Sequence, residues 1–168
     1  MKEKALKQLD NTSQQLLNVL SGFSPAQLNT VPFEGSWTPA QVADHILKSQ
    51  SGVPELFDGS IMPADRLPDQ KIQALRELFL NFSYKMKSPD FILPTNNNLE
   101  KNALIDQIKE KSKQIEEAII KYDLTEICLD FELPGFGTLT RLELIYFIFF
   151  HTQRHIYQLE TIYQKFNN

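Results

Sequence analysis

His151-Thr-Gln-Arg-His155, set within residues 140–166, is the stretch that decides the fold. Around it, Leu142, Ile145, Ile148, Phe149, Ile156, Leu159 and Ile162 recur with helical spacing, and no Pro or Gly interrupts them. Thr140 followed by Glu143 is a capping box, which fixes the start of a long helix. Residues 142–150 are apolar nearly all round, so neighbours must enclose them. That run is too short to span a bilayer. Positions four apart share a helix face, so His151 and His155 lie together with Leu144, Ile148, Gln158 and Ile162. This face is the expected interior of a bundle.

The chain has one further histidine, His45. It follows Thr38-Pro-Ala-Gln41, where a cap, a proline in the first turn and a glutamine three after the cap start a helix. Val42, Ala43, Ile46 and Leu47 make that helix apolar on one side, and Gly52 and Pro54 are expected to end it. Val42, His45, Ile46 and Ser49 share this side, with Gln41 one turn below His45 and Trp37 packing before the cap. Three imidazoles from two helices are therefore candidates to meet at one metal ion. The competing possibility is three separate, hydrogen-bonded core histidines.

Outward from these two helices, Leu6, Leu9, Leu16, Leu17 and Leu20 predict a helix over residues 3–21, stopped at Gly22. Ser24-Pro-Ala-Gln27 starts a short helical turn, and residues 31–35 form a loop. Residues 54–98, broken by Pro54, Pro63, Pro68, Pro89 and Pro94, form a long excursion with one helix near 69–81. Their Phe and Ile content is too high for a solvated linker. Part of residues 79–94 is expected to pack over an end of the bundle near the histidines and to shape access to them. Residues 99–122 form a helix with a narrow apolar stripe and a solvated charged face. Residues 123–133 alternate weakly and read as extended, and Pro134-Gly-Phe-Gly137 is a turn. The fold class expected is all-α, a four-helix bundle with helices near 3–21, 38–52, 99–122 and 140–166, in a single domain over 1–168.

Composition excludes several function classes. Hydrophobic residues are 42% and charged residues 23% of the chain, an ordinary globular balance. A net charge of -4 without a basic cluster argues against a nucleic-acid partner. Membrane partners are not expected either. The single Cys128 forms no internal disulfide and is expected to be buried. The charged, amphipathic N-terminus lacks the apolar run of a signal peptide, and a cytoplasmic protein is expected. A leftover apolar strip on residues 142–150 would favour a homodimer.

The pattern Trp37-Thr-Pro-Ala-Gln-Val-Ala-Asp-His45, together with His151-Thr-Gln-Arg-His-Ile-Tyr-Gln-Leu159, resembles the DinB/YfiT-like superfamily. Residues 79–94 are also similar to a loop in one of its branches. The resemblance implies a bundle of up-down-down-up topology. It also implies a divalent metal, commonly nickel or zinc, held by His45, His151 and His155. Some relatives resemble S-transferases that use bacillithiol, mycothiol or glutathione-like thiols, and others resemble maleylpyruvate isomerases. The family hands over no shared catalytic base, so no catalytic residue is assigned.

Three neutral ligands leave the ion's charge unneutralised and coordination positions open, as in catalytic sites. An ion in such a site acidifies a water or a thiol, so the protein need not supply a nucleophile. The expected function is a metal-dependent enzyme on a small molecule, a thiol S-transferase or a hydrolase. The alternatives are a metal-binding bundle without catalysis and a dimeric bundle that has lost its activity. Asp44 and Arg154 point about 100° away from the ligands beside them and are expected in ion pairs or solvent. Gln41 and Gln158 share the ligand faces and are candidates to hold a histidine's second nitrogen.

Overall fold

A computed structural model describes residues 1–167. The elements run α1 (Lys2–Gly22), α2 (Pro25–Leu28), α3 (Pro39–Ser51), α4 (Val53–Asp58), β1 (Ile61–Met62) and α5 (Ile72–Phe79). A single 3-10 turn (Asp90–Ile92) then precedes α6 (Lys101–Lys121), β2 (Ile127–Leu133), β3 (Gly137–Thr140) and α7 (Arg141–Asn167). The expected caps form. Thr38 and Ser24 each close a reciprocal capping box, with Gln41 and Gln27. Thr140 does the same with Glu143, its Oγ1 accepting from Glu143 N at 3.1 Å while Glu143 Oε2 accepts from Thr140 N at 3.0 Å.

The long helices α1, α3, α6 and α7 make a four-helix bundle. The Lys2 ammonium at the start of α1 donates to the Ile120 carbonyl at the end of α6. The Lys101 ammonium at the start of α6 donates to Ser21 and Phe23 at the end of α1. The ends of α1 and α7 also meet, where Phe23 packs edge-on against Tyr163. The core falls into two apolar clusters. One holds the first half of α1, the second half of α6, the first half of α7, α4, α5 and the sheet. The other holds the second half of α1, α2, α3, the first half of α6 and the second half of α7. Between them lies a polar layer. Ser13 and Ser112 share a 2.8 Å hydrogen bond, and Gln50 donates to Thr152 at 3.0 Å. His151 and His155 stand in the same layer, between Phe150 of one cluster and Ile156 of the other. Each cluster carries its own share of the hydrophobic stabilisation, which leaves the middle of the bundle free to hold polar groups.

Two expectations need correction. The chain is not strictly all-α, because β1, β2 and β3 form an antiparallel sheet in that order. Ile61 pairs with Cys128, and Ile127 with Thr140. The β2–β3 register shifts between Cys128 and Glu132, which blurs the alternation that marks a strand. The turn at Pro134-Gly-Phe-Gly137 joins them, with Gly135 and Gly137 at φ of +83° and +65°, values other residues avoid. The second correction is α4. Gly52 does end α3, but Pro54 stands in the first turn of the next helix, where its missing N–H costs nothing. The sheet and α5 cover residues 142–150, so the leftover apolar strip is largely absent: only Tyr146 and Phe147 there are half-buried. Among the described residues no helix is long and apolar enough to cross a membrane.

A buried carboxylate ties the excursion to the bundle. Glu143, 0% exposed, accepts both arms of Arg66 at 2.6 and 2.7 Å and also the Lys71 backbone N–H at 2.8 Å. The Lys71 ammonium in turn donates to Phe136 and Thr138 of the hairpin. Replacing Glu143 by Ala removes the carboxylate that the Arg66 guanidinium, 16% exposed, and the backbone N–H groups of Lys71 and Thr140 share. The expected cost is about 3–5 kcal/mol, the range for breaking a buried pair, read from urea denaturation. A loss below about 1 kcal/mol, the worth of an exposed pair, would mean the anchor is not needed.

Candidate metal centre

Helix α3 presents His45 to the bundle interior, and α7 presents His151 and His155 one turn apart. All three rings are buried. His151 Nε2 lies 3.2 Å from His45 Nε2 and 3.2 Å from His155 Nε2. One ligating nitrogen from each ring falls within 4.8 Å of the others. The three expected residues are thus brought together. Nitrogens bound to one tetrahedral zinc at ~2.0–2.1 Å stand roughly 3.3–3.4 Å apart, close to the spacing found.

The opposite edges of the rings explain why the three Nε2 atoms face one another. His45 Nδ1 lies 2.8 Å from the Ile92 carbonyl, which can only accept, so Nδ1 carries the proton. His155 Nδ1 lies 2.8 Å from Gln158 Oε1, again an acceptor. His151 Nδ1 lies 3.3 Å from Ser49 Oγ. With the proton on Nδ1 of His45 and His155, their Nε2 lone pairs are free and turned inward toward His151. Such lone pairs repel one another unless a cation stands among them. This donor set, three neutral imidazoles each held by a second partner, fits a borderline-soft divalent ion.

Burial keeps the rings neutral. Desolvation lowers the pKa of His45, only partly opposed by the bond to Ile92. It lowers His151 well below 6.5, helped by its histidine neighbours. It brings His155 down to about 3, helped by His45. A ring that need not lose a proton is ready to coordinate at neutral pH. Aromatic side chains wall the group: Trp37 against His45 at 5.0 Å between centroids, and Phe147 and Phe79 against His151 at 5.8 and 6.2 Å.

A strap crosses the site. Arg154 donates to the carbonyls of Phe79, Asn81 and Tyr84, and Phe82 stacks flat on Tyr157. Farther along, four residues of α3 clamp residues 92–96. His45 holds Ile92, Lys48 donates to the Leu93 carbonyl, Asp44 accepts from Thr95 N, and the Gln41 amide donates to Thr95 and Asn96. These clamps stand at i, i+3, i+4 and i+7, a single helical stripe. The expectation that residues 79–94 reach the histidines is met at Ile92.

Of the two candidate glutamines, Gln158 holds a histidine's second nitrogen. Gln41 does not, because its oxygen closes the capping box and its amide reaches the strap. Asp44 pairs with Lys48 at 3.0 Å. Arg154 is spent on carbonyls instead of an ion pair. Ser49 and Ile92 went unrecognised as partners of the rings. Ser49 sits four residues after His45 on the same face, a spacing that could have flagged it. Ile92 contributes a backbone carbonyl, which no side-chain pattern marks. Cys128 is buried, and burial pushes its thiol up to about 11, so it is no nucleophile.

A four-helix bundle with three converging histidines defines a class, and comparison with known proteins places the chain within it. The model of the DinB superfamily matches residues 8–159, and the chain belongs to that superfamily. It is 24% identical over 152 residues to the protein YuaE of Bacillus subtilis (strain 168), covering 88% of this chain and 90% of YuaE. Its fold is similar to the crystal structure of TT2238, a four-helix bundle protein, with a TM-score of 0.58 and 23% identity over 96% of this chain and 99% of that one.

The three depressed histidines link stability to pH. In metal-free protein the unfolded chain takes up protons near pH 6.5 that the folded chain refuses until about pH 3 at His155. The unfolded state therefore gains as pH falls. The contribution of His155 to stability should be full above pH 6.5 and decline as pH drops toward about 3. Urea unfolding across that window, compared with His155→Gln, checks it. An unchanged slope in the variant would show that His155 titrates alike in both states.

Proposed function

We propose that the chain is a metal-dependent enzyme acting on a small molecule, a thiol S-transferase or a hydrolase, with nickel or zinc held by His45, His151 and His155. One observation carries this: three Nε2 atoms converge while each Nδ1 has a separate hydrogen-bond partner. Membership of the DinB superfamily supports it. So does the order of the helices. Opposed ends of α1 and α6, matched ends of α1 and α7, and α3 running against α7 fit an up-down-down-up bundle.

A divalent ion in this setting supplies Lewis acidity, enough to make a nucleophile of a water or a thiol at neutral pH. The chain's own residues do the rest. His45, His151 and His155 bind as neutral donors and leave the charge of the ion intact. Ile92, Ser49 and Gln158 orient the rings. Trp37, Phe79 and Phe147 exclude bulk water and lower the local dielectric, which strengthens electrostatic effects on a reacting group. The strap of residues 79–96 bounds the approach. Its cationic neighbours Arg154 and Lys48 already serve carbonyls, so they are not free to bind an anionic substrate.

A second reading, a metal-binding bundle without catalysis, is favoured by the burial of the rings. His45 is 1%, His151 7% and His155 9% exposed. Two surface clefts, one beside Tyr163 and one beside Asp106, include none of the three. Turnover separates the two readings. Protein with stoichiometric metal is assayed with low-molecular-weight thiols against model electrophiles and esters. Turnover that disappears on chelation and returns with zinc or nickel supports the enzyme. Full metal occupancy with no turnover supports the non-catalytic bundle.

The metal site itself has a sharper test. His151→Ala or His155→Ala should lower metal occupancy at least ~10-fold while far-UV circular dichroism stays at the parent level, because both apolar clusters remain. Variants that hold as much metal as the parent would place the site elsewhere.

A further inference from the structure

We infer that Ser49 is a positioning residue for this centre: its hydroxyl holds His151 in the tautomer whose Nε2 lone pair faces His45 and His155. The inference deepens the metal reading and rests on it for its purpose, though not for its geometry. Ser49 Oγ has two neighbours. The Ile46 carbonyl is 2.7 Å away and His151 Nδ1 is 3.3 Å away. A hydroxyl has one proton to give. A carbonyl can only accept, and it is the nearer of the two, so the proton goes to Ile46. Ser49 Oγ then meets His151 as an acceptor, and Nδ1 must be the protonated nitrogen. His151 Nε2 is left bare, with a second imidazole Nε2 at 3.2 Å on either side.

The opposite arrangement is also chemically complete. Ser49 would donate to Nδ1, and His151 Nε2–H would donate to His45 or His155. That proton would stand where a cation has to stand. The bond from Ser49 to its own helix is what disfavours it, so a residue that touches no ion decides whether the middle ligand is ready. His151 is the ring that needs this most. It lies within 3.2 Å of both other rings, and its Nδ1 has no backbone carbonyl to fix it as Ile92 fixes His45. Without Ser49 the buried Nδ1–H would lose its partner, and the proton would move to Nε2, where the neighbouring rings accept it. Ser51 is the internal control. Its hydroxyl makes the same kind of bond to its own helix, to Leu47 at 2.7 Å, but it stands roughly 200° farther round α3.

The test uses the full chain labelled with 15N-histidine. Long-range proton–nitrogen correlation spectra on metal-stripped protein at about pH 8, above the histidine range, report which ring nitrogen carries the proton. Zinc affinity is measured separately by competition with a chromophoric chelator. The expected result is His151 protonated on Nδ1 in the parent, in Ser51→Ala and in Ser49→Thr, whose hydroxyl can make the same bonds. Ser49→Ala should move that proton to Nε2 and weaken zinc binding ~10–100-fold, with parent affinity returning in Ser49→Thr. If Ser49→Ala does not fold, Ser49→Cys, whose sulfur is a weak acceptor, is read in the same way. A parent with His151 protonated on Nε2 overturns the inference, and so does a tautomer unmoved by Ser49→Ala. A parent that binds no zinc while the tautomer follows Ser49 refutes the metal reading and leaves the role of Ser49 standing.

Discussion

Everything at the centre of this molecule depends on where three protons sit. His45 and His155 carry theirs on Nδ1, away from the others, because Ile92 and Gln158 present acceptors there, and Ser49 stands at the Nδ1 of His151. If one of those acceptors were lost, a buried N–H would go unsatisfied, which costs about 1–3 kcal/mol. The ring would escape that cost by moving the proton inward. The rings would then bond to one another and close the space. The outer partners therefore determine whether the middle of the bundle is a set of core histidines or a set of ligands.

The bundle is arranged to make such a centre tolerable. Polar groups in a core are costly unless paired, and here they are gathered into one layer between two apolar clusters. Pairs such as Ser13–Ser112 and Gln50–Thr152 complete that layer. Apolar packing above and below supplies stability that does not rely on the histidines. The fold is thus expected to stand without a metal, unlike a zinc finger, where metal binding is the folding energy. The strap adds a coupling between them. His45 faces both ways, with Nε2 toward the other rings and Nδ1 on the strap at Ile92. Any change that lifts residues 92–96 also frees the His45 ring from its partner.

The long helices could be read because their signals are local. Thr38-Pro-Ala-Gln41 and Thr140 with Glu143 state where α3 and α7 begin, and uninterrupted periodicity carries α7 to its end. The spacing of His151 and His155 gave their shared face directly. The place of His45 beside them needed the family resemblance, since nothing in the periodicity of α3 sets how it meets α7. The sheet was harder to see. β1 is two residues long, and β2 alternates poorly across its register shift. α4 was hidden by Pro54, which breaks a helix in its interior and favours one in its first turn. Among the partners of the rings, Gln158 was visible as a side chain on the right face. Ile92 acts through its backbone, and Ser49 has the bland appearance of a serine inside a helix. Gln41 was the other candidate glutamine for that role, but a capping glutamine has already used its oxygen.

The central claim is that these three rings bind one ion together. X-ray absorption at the metal edge of zinc-loaded protein tests it most directly. The account predicts imidazole scattering from three nitrogen ligands at about 2.0–2.1 Å, reduced by one in a His45→Ala variant loaded with the same metal. A spectrum with fewer than three imidazoles in the parent, or one that does not change when His45 is removed, would contradict it.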